Sequence, residues 1–443
     1  MDAFLRGTLV LALTAFVSEC IEFLINLVLA KELGELGIGQ YMSILPVVGL
    51  FMIIASLELP ISISKFVAET ERRFHLSLLK TALKLVSLFM IVLFLLATIL
   101  FSVFPLFHDV HPLVRWVILI LIPLVSITSI GRGYFIGIQR MGTIAVANLF
   151  RRITQLFILV VVFQFFNFDL QLSLLVAICA VIGGELLEFT YVISAFFIHL
   201  RHLRGLSHSG NLDRQTVLKN LLTVSLPTTS MRIFHAVTHA IQPFLIKFSL
   251  VFAGLSKVEA TEHFGMVAGV AMAIGFFPAF IAHSLMTVLI PNVSKAYAVK
   301  DKNSLLLLLK RVILITASYG IPACFVFYFF AEPLTNLFVP SKAAAYYLQL
   351  LWPYFLLHYF TIPFQAFLIG MGLVKDAFYH NIWSHLISFV LIFVLGAQPS
   401  LQMDGVIVGL NAGAVLVMLM HYLTICKKLG ISFTLITRKN IQY

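Results

Sequence analysis

Apolar runs long enough to cross a bilayer recur along the chain, separated by short polar breaks. At 1.5 Å of rise per residue, roughly 20 apolar residues bridge about 30 Å of hydrocarbon. Twelve such runs are placed near residues 7–30, 40–64, 79–105, 113–136, 143–166, 171–199, 219–248, 262–290, 308–331, 343–370, 377–397 and 403–426. Runs such as 85–100 are apolar on every side, without the period-two alternation of a membrane barrel strand. The pattern predicts an all-α polytopic membrane protein of about 12 transmembrane helices. The first run carries acids and no small-residue cleavage site, so a permanent helix is expected rather than a cleaved signal peptide.

Two runs break the apolar rule in an ordered way. In the first, Thr8, Ala12, Ala15, Glu19, Glu22 and Asn26 fall on one helical face. In the seventh, Ser225, Thr228, Arg232, His235, His239 and Gln242 form a second stripe, with a fixed positive charge near its middle. An ionisable group at mid-bilayer costs at least about 2.5–3.5 kcal/mol, so it must face protein or water. Lining a substrate cavity explains charged stripes better than helix–helix packing does. The expected cavity set is Arg232, His235, His239, Gln242, Glu19, Glu22, Asn26 and Arg152. Glu19, Glu22 and Glu185 are candidate ion-coupling groups, for protons or sodium.

The longest polar interruption, residues 201–214, lies halfway along and reads as a linker. It divides the chain into a six-helix lobe at 1–200, a linker at 201–218 and a second six-helix lobe at 219–443. An internal repeat supports the division. Leu59-Pro60-Ile61-Ser62-Ile63-Ser64-Lys65 is echoed by Ile290-Pro291-Asn292-Val293-Ser294-Lys295, and Ile136-Gly137 with Asn148 by Ile369-Gly370 with Asn381. Six spans per half is an even number, so the lobes are expected to be parallel repeats.

Composition agrees with this picture. Hydrophobic residues make up 60% and charged residues 11%, against about 25% charged in a soluble domain. The net charge of +11 is not a nucleic-acid footprint. Lys65, Arg72, Arg73, Arg140, Arg201, Arg204, Arg214, Lys295, Lys300, Lys302, Lys375, Lys427, Lys428, Arg438 and Lys439 fall in alternate loops, while the opposite loops hold little beyond Lys31, Lys257 and Lys342. That asymmetry predicts cytoplasmic N- and C-termini.

Other polar residues carry weaker expectations. Arg151 and Arg152 read as snorkelling anchors at the start of the fifth span, although Asn148, Arg152 and Gln155 share one face. Glu185 and Glu188 follow Gly183-Gly184 and are expected in a cavity or between lobes. Glu58, just before Pro60, would satisfy backbone groups freed by the proline. His283, His358 and His385 read as core histidines, and the four cysteines (Cys20, Cys179, Cys324, Cys426) as small buried hydrophobes. No catalytic, metal-binding or phosphate-loop arrangement is present, so neither an enzyme nor a cofactor is expected.

Certain segments resemble the polysaccharide-exporter branch of the multidrug/oligosaccharidyl-lipid/polysaccharide (MOP) superfamily, which includes the MurJ-type lipid II flippases. They are Phe4-Leu5-Arg6-Gly7-Thr8, residues 59–69, residues 132–141, Ser225-Leu226-Pro227 and residues 289–296. The likeness is greatest to its sporulation-associated members. It implies a V-shaped transporter of the bacterial cytoplasmic membrane, that of forespore or mother cell among the sporulation-associated members, with two lobes about a central site. The implied activity is translocation of a polyprenyl-(di)phosphate-linked saccharide, a cell-wall or spore-envelope precursor, or of another amphipathic lipid, by alternating access. Envelope-assembly proteins are implied partners. Cation-coupled drug efflux and a non-transporting scaffold are the alternatives. Two departures stand out. The family pattern has a basic residue at Glu19 and an acidic one at Arg151, a reversal consistent with spans one and five facing each other. The two extra C-terminal spans of fourteen-helix relatives do not follow the twelfth.

Overall fold

The computed structural model of the protein describes residues 3–103, 110–204 and 213–432, with side chains in the first helix from Phe16 onward. Among these, every element is helical. In order they are α1 (Ala3–Ser56), α2 (Leu59–Glu69), α3 (His75–Val103), α4 (Leu113–Gly137), α5 (Met141–Phe165), α6 (Leu170–Arg204), α7 (Arg214–Phe252), α8 (Lys257–Gly265), α9 (Met272–Phe276), α10 (Ala279–Ala298), α11 (Lys302–Phe329), α12 (Ala331–Asn336), α13 (Lys342–Leu350), α14 (Trp352–Gly370), α15 (Val374–Gly396) and α16 (Met403–Leu429).

Eight helices among the described residues are long and apolar enough to cross a membrane, or nine with the bent pair α8–α9/α10. The twelve runs of the sequence map onto them directly. α1 is 54 residues long, but Gly34 adopts φ 66, ψ −172 and breaks it into the first two spans; glycine takes this left-handed backbone without the Cβ penalty. α7 and α13–α14 supply the remaining two. Their polar residues or short pieces keep them out of the hydropathy set. The chain is thus an all-α membrane protein of about twelve spans.

The described residues cluster into two compact units. One comprises the chain up to Leu33 with Gln40–Ile241; the other comprises Gly34–Gly39 with the chain from Gln242 onward. The expected linker at 201–218 lies within the first unit, which also takes α7 as far as Ile241.

In the first unit, α2 presses against α4 because glycine allows it. A Cβ on Gly133 would sit 2.8 Å from Cβ of Ile63, and one on Gly137 would sit 2.7 Å from Cβ of Val67. Leu59, Ile63 and Val67 are buried there with Ile130, Tyr134, Val192 and Leu221. The second unit repeats the device. A Cβ on Gly370 of α14 would sit 2.8 Å from Cβ of Val293 on α10, within a core that includes Leu289, Phe364 and Phe367. The echoed Ile-Gly pairs therefore mark the same kind of close helix crossing in both units.

The eighth span is broken. It opens with a capping box, in which Ser256 Oγ accepts from Glu259 N at 3.2 Å and Glu259 accepts from Ser256 N at 2.8 Å. It then passes through a π-helical turn at Met266–Ala271 and bends by 55° before α10. The Gly275 carbonyl beside that bend accepts from the buried Tyr359 hydroxyl, the kind of partner that backbone groups at a break in a membrane helix need. The cysteines divide: Cys324 and Cys426 are buried, Cys20 is half-buried and Cys179 is exposed, which corrects the expectation of four buried ones.

Candidate functional site

The site grows from a glycine pair. At Gly184 of α6, a Cβ would meet the Arg151 carbonyl at 2.6 Å, and at Gly183 it would overlap Ile158. α6 can therefore lie directly on α5, which sets Glu185 and Glu188 against the arginines of that helix. Arg151 Nη1 donates to Glu185 Oε1 at 2.9 Å, and its Nε lies 3.3 Å from Glu188 Oε2. Arg132 of α4 completes the cluster, donating from Nη1 to Glu188 Oε1 at 2.6 Å and from Nη2 to Asn148 Oδ1 at 3.1 Å. Glu188 is fully buried between two guanidiniums. A carboxylate in that position needs such partners, because an unpaired buried charge costs several kcal/mol.

A second ion pair stands at the break between α1 and α2. Leu57 and Glu58 both adopt left-handed backbone, with φ 48 and φ 47, a conformation that costs a non-glycine residue about 1–3 kcal/mol. The break aims Glu58 at α7, where its Oε1 lies 2.8 Å from Nη1 of Arg232. Glu58 was expected to serve backbone groups near Pro60. It does not cap α2; instead Ser56 Oγ accepts from Glu58 N at 3.4 Å and Ser126 Oγ donates to the Ala55 carbonyl at 2.9 Å.

These groups border one cavity of about 380 Å³ within the first unit. Arg132, Arg151 and Arg232 line it together with their partners Glu58, Glu185 and Glu188, and with Ser56, Thr128 and Ser129. Its three guanidiniums and three carboxylates balance. The positive groups are forked hydrogen-bond donors suited to phosphate or carboxylate, and Arg232 has its side chain 57% exposed.

The remaining expected residues fall around this core. Glu22 of α1 pairs with Nη1 of Arg152 on α5, and half-buried Glu19 lies within electrostatic reach of both. α1 and α5 thus meet, but through Glu22 and Arg152. Arg151 turns to Glu185 and Glu188, so the reversed pair Glu19/Arg151 is not itself a contact. Arg151 is no interfacial anchor: its side chain is three-quarters buried and doubly partnered. Asn26 is half-buried. His235 is half-buried with its ring edge-on to Phe234, His239 is exposed, and Gln242 belongs to the second unit. None of Glu19, Glu22, Asn26, Arg152, His235, His239 or Gln242 lines the 380 Å³ cavity; Arg232 does. The side chains of Thr8, Ala12, Ala15 and Thr228 lie outside the described residues. Arg132 was missed as a site residue, although a cation so far inside the apolar run 113–136 is a readable signal.

Residues 4–297, which include every cavity-lining residue, match the family described as "Polysaccharide biosynthesis protein". The chain belongs to that family. Residues 264–394 also match the MatE family. Among curated relatives, the chain is 49% identical over 432 residues to "Sporulation protein YkvU" of Bacillus subtilis, covering 98% of this chain and 97% of the relative. It is 30% identical over 443 residues to "Stage V sporulation protein B" of the same organism, covering 97% and 85%. Solved structures share the fold at low identity. An inward-facing multidrug resistance MATE family transporter of the MOP superfamily has a TM-score of 0.70 at 14% identity, covering 95% of this chain and 98% of that one. A MOP superfamily transporter from Pyrococcus furiosus, described as having a binding pocket of reverse polarity, gives 0.67 at 15%, with 96% of each covered. The polysaccharide biosynthesis family is of transporter type, and this member is a multi-pass membrane protein of the MOP superfamily.

Proposed function

We propose that this member translocates a polyprenyl-(di)phosphate-linked saccharide across the bacterial cytoplasmic membrane by alternating access, its head group entering the charged cavity of the first unit. The observation that carries the reading is Arg232. It is a half-exposed guanidinium at a cavity that also holds Arg132 and Arg151. Phosphate oxygens on such forks replace hydration that hydrocarbon cannot offer. Serine and threonine hydroxyls and the carboxylates offer partners to the sugar, while the polyprenyl tail remains in lipid. The basic loops orient both termini to the cytoplasm. The sporulation names of the two relatives favour an envelope precursor handled at the forespore or mother-cell membrane.

Two measurements test this. The lipid that co-purifies with the protein, identified by mass, should be a polyprenyl (di)phosphate. Arg232→Ala should abolish lipid translocation in reconstituted vesicles, and unchanged translocation sinks the proposal. A second reading, cation-coupled efflux of amphipathic cations, is favoured by Glu19 and Glu22, two carboxylates one turn apart on α1, of which Glu22 is paired with Arg152. It predicts loss of dye efflux in a deletion strain while lipid translocation stays intact.

A further inference from the structure

In the second unit, α15 and α16 are packed along a seam of small residues. A Cβ on Gly409 would lie 2.7 Å from the Ile392 nitrogen, and one on Gly413 would lie 2.8 Å from Cβ of Ser388. Ser384 and Ser388 donate to the carbonyls of Gly413 and Gly409 at 2.7 and 2.9 Å. One turn before Ser384, the seam ends in two imidazoles. His380 and His421 are 8% and 0% exposed, with their Nδ1 atoms 2.9 Å apart. At that separation one Nδ1 carries a proton and the other accepts it. Nε2 of His380 lies 3.3 Å from the Thr424 hydroxyl. Nε2 of His421 is buried and has no partner among the described residues. One arrangement satisfies every donor. His421 Nδ1–H donates to His380 Nδ1, and His380 Nε2–H donates to Thr424, leaving a single bare lone pair on His421 Nε2.

We propose that the His380–His421 pair is a binding site for one proton, and that its occupancy loosens the end of the α15–α16 seam. The incoming proton bonds to the vacant Nε2 lone pair of His421. That ring becomes an imidazolium and no bond breaks. A bare acceptor has then become a bare donor on a cation, and a buried unsatisfied donor costs about 1–3 kcal/mol, more when charged. Moving α16 so that this N–H meets water relieves the cost. A second proton is barred, because both Nδ1 atoms would then present hydrogens to each other across 2.9 Å.

The surroundings fit a proton better than a metal. No group of three or more potential metal ligands occurs among the described residues, and no carboxylate is ion-paired with either ring there. From α15 the facing acid is Asp376, one turn before His380. From α16 come Thr424 and, further along, buried Cys426 and exposed Lys427 and Lys428. α14 packs on α16 through Phe364 against Tyr422, contributing no charge at that contact. The site is independent of what is transported.

The test uses the full chain in nanodiscs, with its native cysteines replaced by alanine and spin labels at the exposed positions of Lys375→Cys and Lys428→Cys. The label separation is followed from about pH 8 to about pH 3, a window that begins above the ordinary histidine range and extends well below it. The expected result is a one-proton transition to a longer, broader separation. His421→Phe should abolish it, and His380→Phe, which removes the acceptor of His421 Nδ1–H, should change its midpoint. Asp376→Asn should move its midpoint to lower pH without removing it. If the phenylalanine variant does not fold, His421→Asn, which keeps a hydrogen-bond donor for His380 Nδ1, should also abolish the transition. A flat response in the parent protein, or the same transition in a histidine variant, overturns the proposal.

Discussion

Glu58→Gln separates a structural role for the Glu58–Arg232 pair from a functional one. Glutamine keeps the volume and adopts the left-handed φ of 47 as readily as glutamate, so the break between α1 and α2 should persist. What disappears is a full negative charge 2.8 Å from Nη1 of Arg232. Charges about 4 Å apart attract by about 4 kcal/mol at an effective dielectric near 20, whereas exposed pairs are worth about 0–1 kcal/mol. Glu58 is buried and Arg232 is 57% exposed, which places this pair between those limits, at about 1–2 kcal/mol. A phosphate that takes the Nη1 edge of Arg232 competes with that carboxylate. Removing the carboxylate should therefore tighten binding of a diphosphate about tenfold, since 1.4 kcal/mol is a factor of ten. The assay is titration calorimetry of the purified protein with farnesyl diphosphate. Glu58→Gln should bind more tightly, Arg232→Ala should not bind measurably, and the double variant should behave as Arg232→Ala. If Glu58→Gln binds more weakly than the parent while still folded, Glu58 holds Arg232 in place for the ligand and the competition argument fails.

Three other outcomes follow from the packing and charge of the two units. Glu188→Gln leaves Arg132 and Arg151 facing each other across a shared neutral group; it should cost about 2–4 kcal/mol, read as a lowered thermal midpoint, and Arg132→Gln in the same chain should recover part of the loss. Gly409→Leu forces side-chain atoms into α15 where even a Cβ would lie 2.7 Å from the Ile392 nitrogen; it should destabilise by about 3 kcal/mol or prevent folding, while a leucine at exposed Val415 should be tolerated in the same thermal assay. Ser256→Ala removes the capping box at α8 and should cost about 1 kcal/mol. The Glu259 carboxyl there is held below its ordinary range by the Ser256 N–H and hydroxyl. Its contribution is therefore present above the usual carboxylate pKa and is lost only as pH falls through the depressed value, so it cannot produce a transition in the histidine range.

The sequence revealed the spans better than the contacts between them. Apolar runs and the Ile-Gly echo fixed the helices and the repeat, because both are local properties of the chain. Glu22, Arg152 and Arg232 stood out for the same reason: a charge inside an apolar run is visible without knowing its neighbours. Partners were not visible. Arg151 and Arg152 are adjacent in sequence, yet the 100° helical step sends one to Glu185 and Glu188 on α6 and the other to Glu22 on α1. That division depends on which helices lie either side of α5, and the Gly183-Gly184 pair that brings α6 close reads as ordinary membrane glycine until its contacts are known. His380 and His421 went unnoticed because each is one polar residue among several in its run; only the antiparallel register of α15 and α16 sets them together.

Charge sets a condition on any anionic head group. The ion pairs of the first unit, with Glu19 beside them, gather four arginines, at 132, 151, 152 and 232, and five glutamates, at 19, 22, 58, 185 and 188. Each arginine already has a carboxylate partner. A site so saturated does not attract a diphosphate by net charge. It admits one only where an existing pair opens, and the pairs differ in how easily they do so. Glu188 is wholly buried and holds two arginines, so displacing it would strand the acid away from water. Glu58 is buried as well, but its partner is the most solvent-exposed guanidinium of the four, and its backbone is already held in an unfavourable conformation that movement would relieve. The weakest link in the network is therefore the one that joins the broken second span to α7. A ligand that opens it couples its own binding to the geometry of that break, whereas a ligand bound elsewhere on the network would leave the break unchanged.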